Sequence, residues 1–242
     1  KKIRLNLINV DIATLINNTI REGHPLHEYY EYLSNKDPPL RLRRKLGQGG
    51  YSVVYSATVT KPLFNEKLLA KNMVSVKILN FQKADEKLKK SDKEFRELYK
   101  ISKSLFLRLE AHNIIKEVEM ALKLSGHPCI LRTFGLFTLD FPFTTNERIV
   151  SSVGIVTEYL DRFIDLFRYM NSSTMTYEKK YVIIYQLLNI VKYLSYKKVM
   201  HRDLKPENIL INMDTLEIKI IDYGFATREP YKRTYAGSPK YV

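Results

Sequence analysis

The stretch His201-Arg202-Asp203-Leu204-Lys205-Pro206-Glu207-Asn208 constrains this 242-residue chain more than any other segment. Pro206 has no N–H and a locked φ, so the segment can neither continue a regular helix nor sit inside a sheet. Irregular backbone there must carry an acid, two cationic side chains and an amide, directly before the apolar run that starts at Ile209. Downstream, Asp222-Tyr223-Gly224 ends a second apolar run, and Gly224 permits a turn that other residues resist. Carboxylates and an amide are hard oxygen ligands for a divalent cation such as Mg²⁺, and lysine ammonium groups suit phosphate oxygens. The segment therefore has the equipment to hold a metal ion and a polyphosphate.

The rest of the chain changes texture along its length. Residues 1–38 carry apolar side chains at helical spacing (Leu5, Ile8, Ile12, Leu15, Ile16, Ile20) and end at Asp37-Pro38-Pro39, where two prolines stop a helix. They read as a helical extension, residues 1–39, outside the main domain. From Leu40 a glycine-rich turn leads into a Val/Tyr-rich strand, and Met73–Leu79 reads as another strand. Residues 81–124 read as helix, 130–139 and 149–159 as strands, and Tyr177–Tyr196 as a second long helix. Short strands at 209–211 and 218–221 straddle the turn Asn212-Met213-Asp214. The order is strand-rich with one long helix, then helix-rich with short strands.

Two further features bear on chemistry. In Gly47-Gln48-Gly49-Gly50-Tyr51-Ser52-Val53-Val54, glycines between strands let backbone N–H groups approach a phosphate. Alone, such a hairpin is as readily an ordinary turn, and no Gly-Lys-Ser/Thr follows to make it a P-loop. In Val74-Ser75-Val76-Lys77-Ile78, alternation places Lys77 on the face opposite Val76 and Ile78. An inward lysine requires an anionic partner; Glu117 is the candidate and Glu119 its rival.

Taken in order, these segments resemble the eukaryotic protein kinase family, serine/threonine type, over roughly residues 40–242. The resemblance implies an α+β, bilobal protein-kinase-like fold. A small antiparallel-sheet N-lobe would span about 40–158, and the upper part of a helical C-lobe about 159–242. It implies an ATP- and Mg²⁺-dependent protein serine/threonine kinase that transfers the γ-phosphoryl group to Ser/Thr hydroxyls of protein substrates. Gly47, Gln48, Gly49, Gly50, Ser52 and Val54 would form the loop over the phosphates, with Ser52 where the family has its third glycine. Lys77 would contact the α- and β-phosphates and pair with Glu117. Asp203 would be the catalytic base, Lys205 would steady the γ-phosphate, and Asn208 with Asp222 would ligate Mg²⁺.

The same resemblance implies that adenine lies between Leu46, Val54 and Ser75 on one side and Leu210 on the other, with Ile221 behind. Thr157 would be the gatekeeper, the backbones of Glu158 and Leu160 would bond the adenine edge, and Asp165 or Asp161 would hold the ribose. Lys205, two residues after the base, and Gly237-Ser238-Pro239-Lys240-Tyr241 resemble serine/threonine rather than tyrosine kinases. Arg202 beside the base resembles kinases switched on by phosphorylation. Thr234 is the candidate acceptor, with an activating kinase or regulatory protein as the implied partner. Departures from the pattern are Ser75 in place of alanine, a charged insertion over 80–112, and small residues, Ala121 and Thr133, where larger apolar ones stack in the family. The pattern stops before Ala-Pro-Glu, so the resemblance implies a kinase domain incomplete at its C-terminal end. Such a piece alone is expected to be aggregation-prone and weakly active or inactive.

A net charge of +14 invites a nucleic-acid reading. The densest lysine run, 83–103, alternates with Asp85, Glu86, Asp92, Glu94 and Glu97, as a solvated helix face does, and this disfavours nucleic acid. A lone cysteine, Cys129, cannot form an internal disulfide, which points to a reducing intracellular setting, cytoplasmic or nuclear. Every apolar run falls short of the roughly 18 residues a membrane helix requires, so no membrane partner is expected. The competing classes are a pseudokinase or ATP-binding scaffold, which intact Lys77, Asp203, Asn208 and Asp222 oppose, and a basic nucleic-acid-binding module, which charge alone supports.

Overall fold

The structure, a computed structural model, describes residues 12–33, 39–48, 52–64, 73–79, 93–139, 153–172 and 175–228, with side chains in the long helix from residue 104 onward. Gly49, Gly50, Thr234 and the first part of the expected helix over 81–124 lie outside the described residues. The chain divides into two compact units: Lys1–Ile115 with Phe134–Thr157, and Lys116–Thr133 with Glu158–Val242. Residues 116–133, which the kinase-like reading assigned to the N-lobe, thus group with the second unit. The cause is apolar: Ala121, Leu124, Cys129 and Ile130 bury in one cluster with Ile190, Ile211 and Ile220.

In the first unit, α1 (Ile12–Thr19) is followed by β1 (Tyr30–Leu33), β2 (Leu40–Gln48), β3 (Ser52–Val59) and β4 (Met73–Leu79). Helix α2 (Lys93–Leu124) and strands β5 (Thr133–Leu139) and β6 (Val153–Glu158) complete it, each with residues in the second unit where the boundary cuts them. The six strands form one sheet in the order β1-β5-β6-β4-β3-β2. On the other face of β4 from half-buried Met73 and Lys77, which also carries buried Ser75 and Leu79, Val74, Val76 and Ile78 are fully buried. These three pack in a core with Val53, Tyr55, Ala57 and Phe137.

The expected helical extension is overturned past residue 20. Helical spacing describes only α1, whose Ile12, Ala13 and Ile16 are buried; Gly23 then takes φ +86°, so the helix has ended well before the prolines at 38 and 39. Tyr30-Glu31-Tyr32-Leu33, rich in strand-favouring aromatics, pairs in parallel with β5, from Tyr30 opposite Leu136 to Leu33 opposite Leu139. The sheet is consequently mixed rather than wholly antiparallel, and the extension is part of it.

Several contacts seat β1. The Tyr30 hydroxyl donates to Asn17 Oδ1 at 3.1 Å and lies 2.6 Å from Thr138 Oγ1. The Glu31 carboxylate accepts the Phe64 N–H, and Leu33 joins the sheet's core. At Gly135 of β5 the fit leaves no room: a Cβ would fall 2.4 Å from the Tyr29 carbonyl oxygen and 2.7 Å from the Phe64 ring.

The second unit holds β7 (Phe163–Asp165), α3 (Leu166–Ser172), α4 (Tyr177–Tyr196), β8 (Ile209–Asn212) and β9 (Ile218–Ile220). Strands β7, β8 and β9 pair antiparallel in that order. Thr176 caps α4 by accepting the Lys179 N–H. Ile183, Ile190 and Leu194 make the buried stripe of α4, Leu187 and Tyr193 pack half-buried beside it, and Val182, Ile184, Leu188 and Val191 are exposed. Among the described residues no helix is long and apolar enough to cross a membrane. Strand β9 is held on its other side by residues 129–131, through Ile220 N–H to the Cys129 carbonyl at 2.8 Å and Leu131 N–H to the Ile220 carbonyl at 3.1 Å.

Because β1 is locked by close packing at Gly135, Gly135→Ala should lower stability by about 1–3 kcal/mol, the usual range for forced overpacking. Tyr30→Phe, which removes a half-buried hydroxyl, should lower it by about 1 kcal/mol. Denaturant titration measures both; an unchanged midpoint in Gly135→Ala would show that β1 does not occupy this edge.

Candidate active site

The loop 201–208 is built around one buried carboxylate. Asp203 Oδ2 accepts from Lys205 Nζ at 2.9 Å and from Asn208 Nδ2 at 2.9 Å, and Asn208 Nδ2 also reaches the Asp203 carbonyl at 3.0 Å. Asp203 and Asn208 are both buried, so these bonds replace the water they have lost. Pro206 opens a single 3₁₀ turn, Pro206–Asn208, closed by the Asn208 N–H to the Lys205 carbonyl. That turn brings Asn208 back onto Asp203. The Asn208 carbonyl then accepts the Ile221 N–H at 3.0 Å, which ties the loop to the residue preceding Asp222.

Two non-glycine residues here take left-handed backbone, Arg202 at φ 65° and Asp222 at φ 66°. Each costs roughly 1–2 kcal/mol and persists only where surroundings impose it. For Arg202 the surroundings include its Nε donating to the Phe225 carbonyl at 2.8 Å. For Asp222 they include its Oδ1 accepting the Gly224 N–H at 3.2 Å. Glu117 lies in the same unit, its Oε2 3.9 Å from where a Cβ on Gly224 would stand. Met200 and Thr227 exchange two backbone hydrogen bonds at 2.9 Å, clamping the two segments side by side.

Beneath the loop, His201 and Tyr223 are buried with ring centroids 5.3 Å apart in an edge-to-face arrangement. The Tyr223 hydroxyl donates to the Ile220 carbonyl at 3.2 Å, and burial pushes its pKa up, so the phenol stays protonated. Burial pushes His201 below its ordinary 6.5, with the Asp222 carboxylate partly opposing. Neutral His201 accepts the Asp203 N–H on Nδ1 at 3.4 Å. Ala121 and Thr133, the small residues flagged in the sequence, are both buried in this same unit.

In the first unit, Lys77 stands directly across from Val54 on β3, and Ser75 across from Ser56. Directly opposed residues share a face, so Val54, Ser75 and Lys77 do as well. Gly47 and Gln48 end β2 opposite Val54 and Val53, Lys45 Nζ donates to Gln48 Oε1 at 2.8 Å, and Ser52 begins β3. Leu46 is exposed and Thr157 lies in β6.

In the second unit, Leu210 is central in β8, opposite Asp165 on one side and Lys219 on the other. Glu158 ends β6, with Leu160 two residues on. Asp165, a candidate ribose ligand, is engaged locally: Oδ1 accepts the Arg168 N–H at 2.8 Å and Oδ2 pairs with Arg168 Nε at 3.2 Å, the pattern of a helix cap for α3.

Sequence reasoning passed over Lys219. It is buried on β9 and pairs with Glu158 at 3.2 Å and Glu217 at 3.4 Å. The signal was present in Ile218-Lys219-Ile220, one lysine between apolar strand residues, the pattern that singled out Lys77.

A loop that buries an acid between a lysine and an amide, followed two residues past the end of β9 by a second acid in left-handed backbone, has the side-chain types that phosphoryl-transfer chemistry uses. The chain belongs to the protein kinase domain family, whose model matches residues 40–242. It is 29% identical over 210 residues, 83% of this chain, to the ovarian-specific serine/threonine-protein kinase Lok of Drosophila melanogaster. It is 27% identical over 236 residues, 96% of this chain, to the SNF1-like protein kinase ssp2 of Schizosaccharomyces pombe. It is 28% identical over 210 residues, 83% of this chain, to the serine/threonine-protein kinase ULK3 of Xenopus laevis. These matches cover 36%, 34% and 35% of the relatives, so the chain spans about a third of their length. Members of the family take ATP as phosphoryl donor and proteins as acceptors.

The lowered pKa of His201 fixes a pH response. Unfolded, the imidazole gains a proton as pH falls through about 6.5; folded, it gains one only at lower pH. Stability should therefore fall as pH drops from about 6.5 toward the folded value, and His201→Tyr should remove part of that fall. Thermal unfolding midpoints between pH 7.5 and about pH 5 measure the difference; parallel curves for both proteins would refute it.

Proposed function

We propose that this chain is the catalytic domain of an ATP-dependent protein serine/threonine kinase. The observation that carries the reading is the bonding of Asp203, whose buried Oδ2 is gripped by Lys205 and Asn208. Lys205 and Asn208 fix the direction of the Asp203 carboxylate, which is what a residue that orients an acceptor hydroxyl and takes up its proton needs. The same ammonium is suited to the γ-phosphoryl oxygens, where charge spreads in a loose transition state. Lys77 would hold the α- and β-phosphates. The 46–54 hairpin would cover the phosphates, and the backbones of Glu158 and Leu160 would present to the adenine edge.

The metal fits the residues present. Asn208 commits its Nδ2 to Asp203, so its amide oxygen is the atom with ligating chemistry, and Asp222 supplies hard carboxylate oxygens. Among the described residues no group of three or more His, Cys, Asp or Glu could hold a metal by itself. One carboxylate with substrate phosphates is the ordinary way Mg²⁺ is bound, whereas zinc demands more protein ligands. When bound, the ion would neutralise phosphoryl charge; Asn208 and Asp222 would hold it, and Asp203 would take up the proton.

Serine or threonine acceptors, an intracellular setting and activation by phosphorylation at Thr234 extend the same proposal. Arg202, oriented by the Phe225 carbonyl, is the cation a phosphate there would meet.

The test is transfer of labelled γ-phosphate from ATP to a basic protein by the full-length protein, with Asp203→Asn and Lys77→Met as variants. Each should cut kcat/KM by about 10²–10⁴ while the fold survives. Transfer that persists in both would refute the mechanism.

A further inference from the structure

Lys219 is not explained by folding alone. It is a buried cation in the centre of a three-residue strand whose neighbours, Ile218 and Ile220, are fully buried. A lysine in such a place is tolerated only when paired. Its two partners differ. Glu217 is nearly half exposed, where solvent weakens attraction, while the Glu158 side chain is only 26% exposed.

Glu158 is tied down in a second way. Its Oε1 accepts the Arg132 N–H at 2.8 Å as well as pairing with Lys219, and its own N–H donates to the Arg132 carbonyl at 2.9 Å. One carboxylate thus joins the end of β6 to the start of β5 and to β9. The register places Lys219 directly opposite Leu210, so both stand on one face of the β7-β8-β9 sheet with Cβ atoms about 5 Å apart. Leu210 is the residue assigned to the floor under adenine, and Glu158 the one whose backbone presents to the adenine edge.

We infer that Lys219 is a positioning residue for nucleotide binding: through Glu158 it holds the backbone of residues 158–160 at a fixed height over Leu210. The inference rests on the kinase reading. Without the ammonium, the Glu158 carboxylate turns toward water, and the strand end that carries it is no longer pinned to β9. The adenine edge then meets misplaced donors and acceptors, while Asp203, Lys205 and Asn208 keep their mutual bonds. Nucleotide affinity should suffer and the chemical step should not.

The experiment measures KM for ATP, kcat and the dissociation constant of ADP in the full-length protein. Lys219→Met should raise KM and the ADP constant about tenfold with kcat within about threefold, the signature of lost binding rather than lost transition-state stabilisation. Glu158→Gln keeps an acceptor for the Arg132 N–H but loses the charge, and should match it. Lys219→Arg keeps charge and reach, and should restore KM to within about threefold of wild type. Should Lys219→Met not fold, the other two variants decide.

A merely structural lysine would lower the active fraction and the melting temperature while leaving KM alone. That outcome, an unaffected Glu158→Gln, or a KM raised equally in Lys219→Arg would overturn the inference. A wild-type protein that neither binds ADP nor transfers phosphate would instead overturn the kinase reading itself.

Discussion

A carboxylate removed from water must be paired, and most of the loop around Asp203 follows from that requirement. Lys205 and Asn208 both converge on Oδ2, and Asn208 can do so only because Pro206 starts a 3₁₀ turn that folds it back. The turn in turn frees the Asn208 carbonyl to receive the Ile221 N–H, which fixes where Asp222 leaves the strand. Backbone strain at Arg202 and Asp222 is held in place by the same web of hydrogen bonds, and His201 and Tyr223 meet edge to face beside it.

Strand β9, three residues long, is the junction on which the second unit turns. On one edge it pairs with β8, on the other with residues 129–131, and its lysine reaches the end of β6. Gln186 of α4 adds a fourth tie, its Nε2 donating to the Leu216 carbonyl at 2.8 Å and its Oε1 accepting the Ile218 N–H at 3.1 Å. So short a strand would be marginal alone; bonded on both sides, it becomes rigid enough to deliver Asp222 in a costly conformation.

The first unit answers a different problem, the open edge of a sheet. Unpaired N–H and C=O groups on an edge strand recruit other chains. β5 would be such an edge, and β1 closes it from within the same chain. At the opposite edge, β2 carries Arg41, Arg43, Arg44 and Lys45, all exposed or half-exposed, a charged border that discourages pairing. Part of the +14 net charge thus has a structural use, and the nucleic-acid reading of it weakens further.

The amino-acid sequence by itself determined the chemistry and the local periodicity. Asp203, Lys205, Asn208 and Asp222 were legible because Pro206 and Gly224 dictate irregular backbone around chemically distinctive side chains. Helix Tyr177–Tyr196 and strand Met73–Leu79 came out with the boundaries read from their patterns, since 3.6- and 2-residue periods are local properties. What lay outside reach depends on partners distant in sequence. Tyr30–Leu33 reads as part of a helical extension until it meets β5, more than a hundred residues away, and 116–124 reads as the end of a helix until its apolar side chains find α4. The pairing of Lys219 with Glu158 likewise has no local signature beyond a charge in an unexpected place. Only the tertiary structure could decide these, because register and burial are set by which surfaces meet, and a single strand or helix does not carry that information.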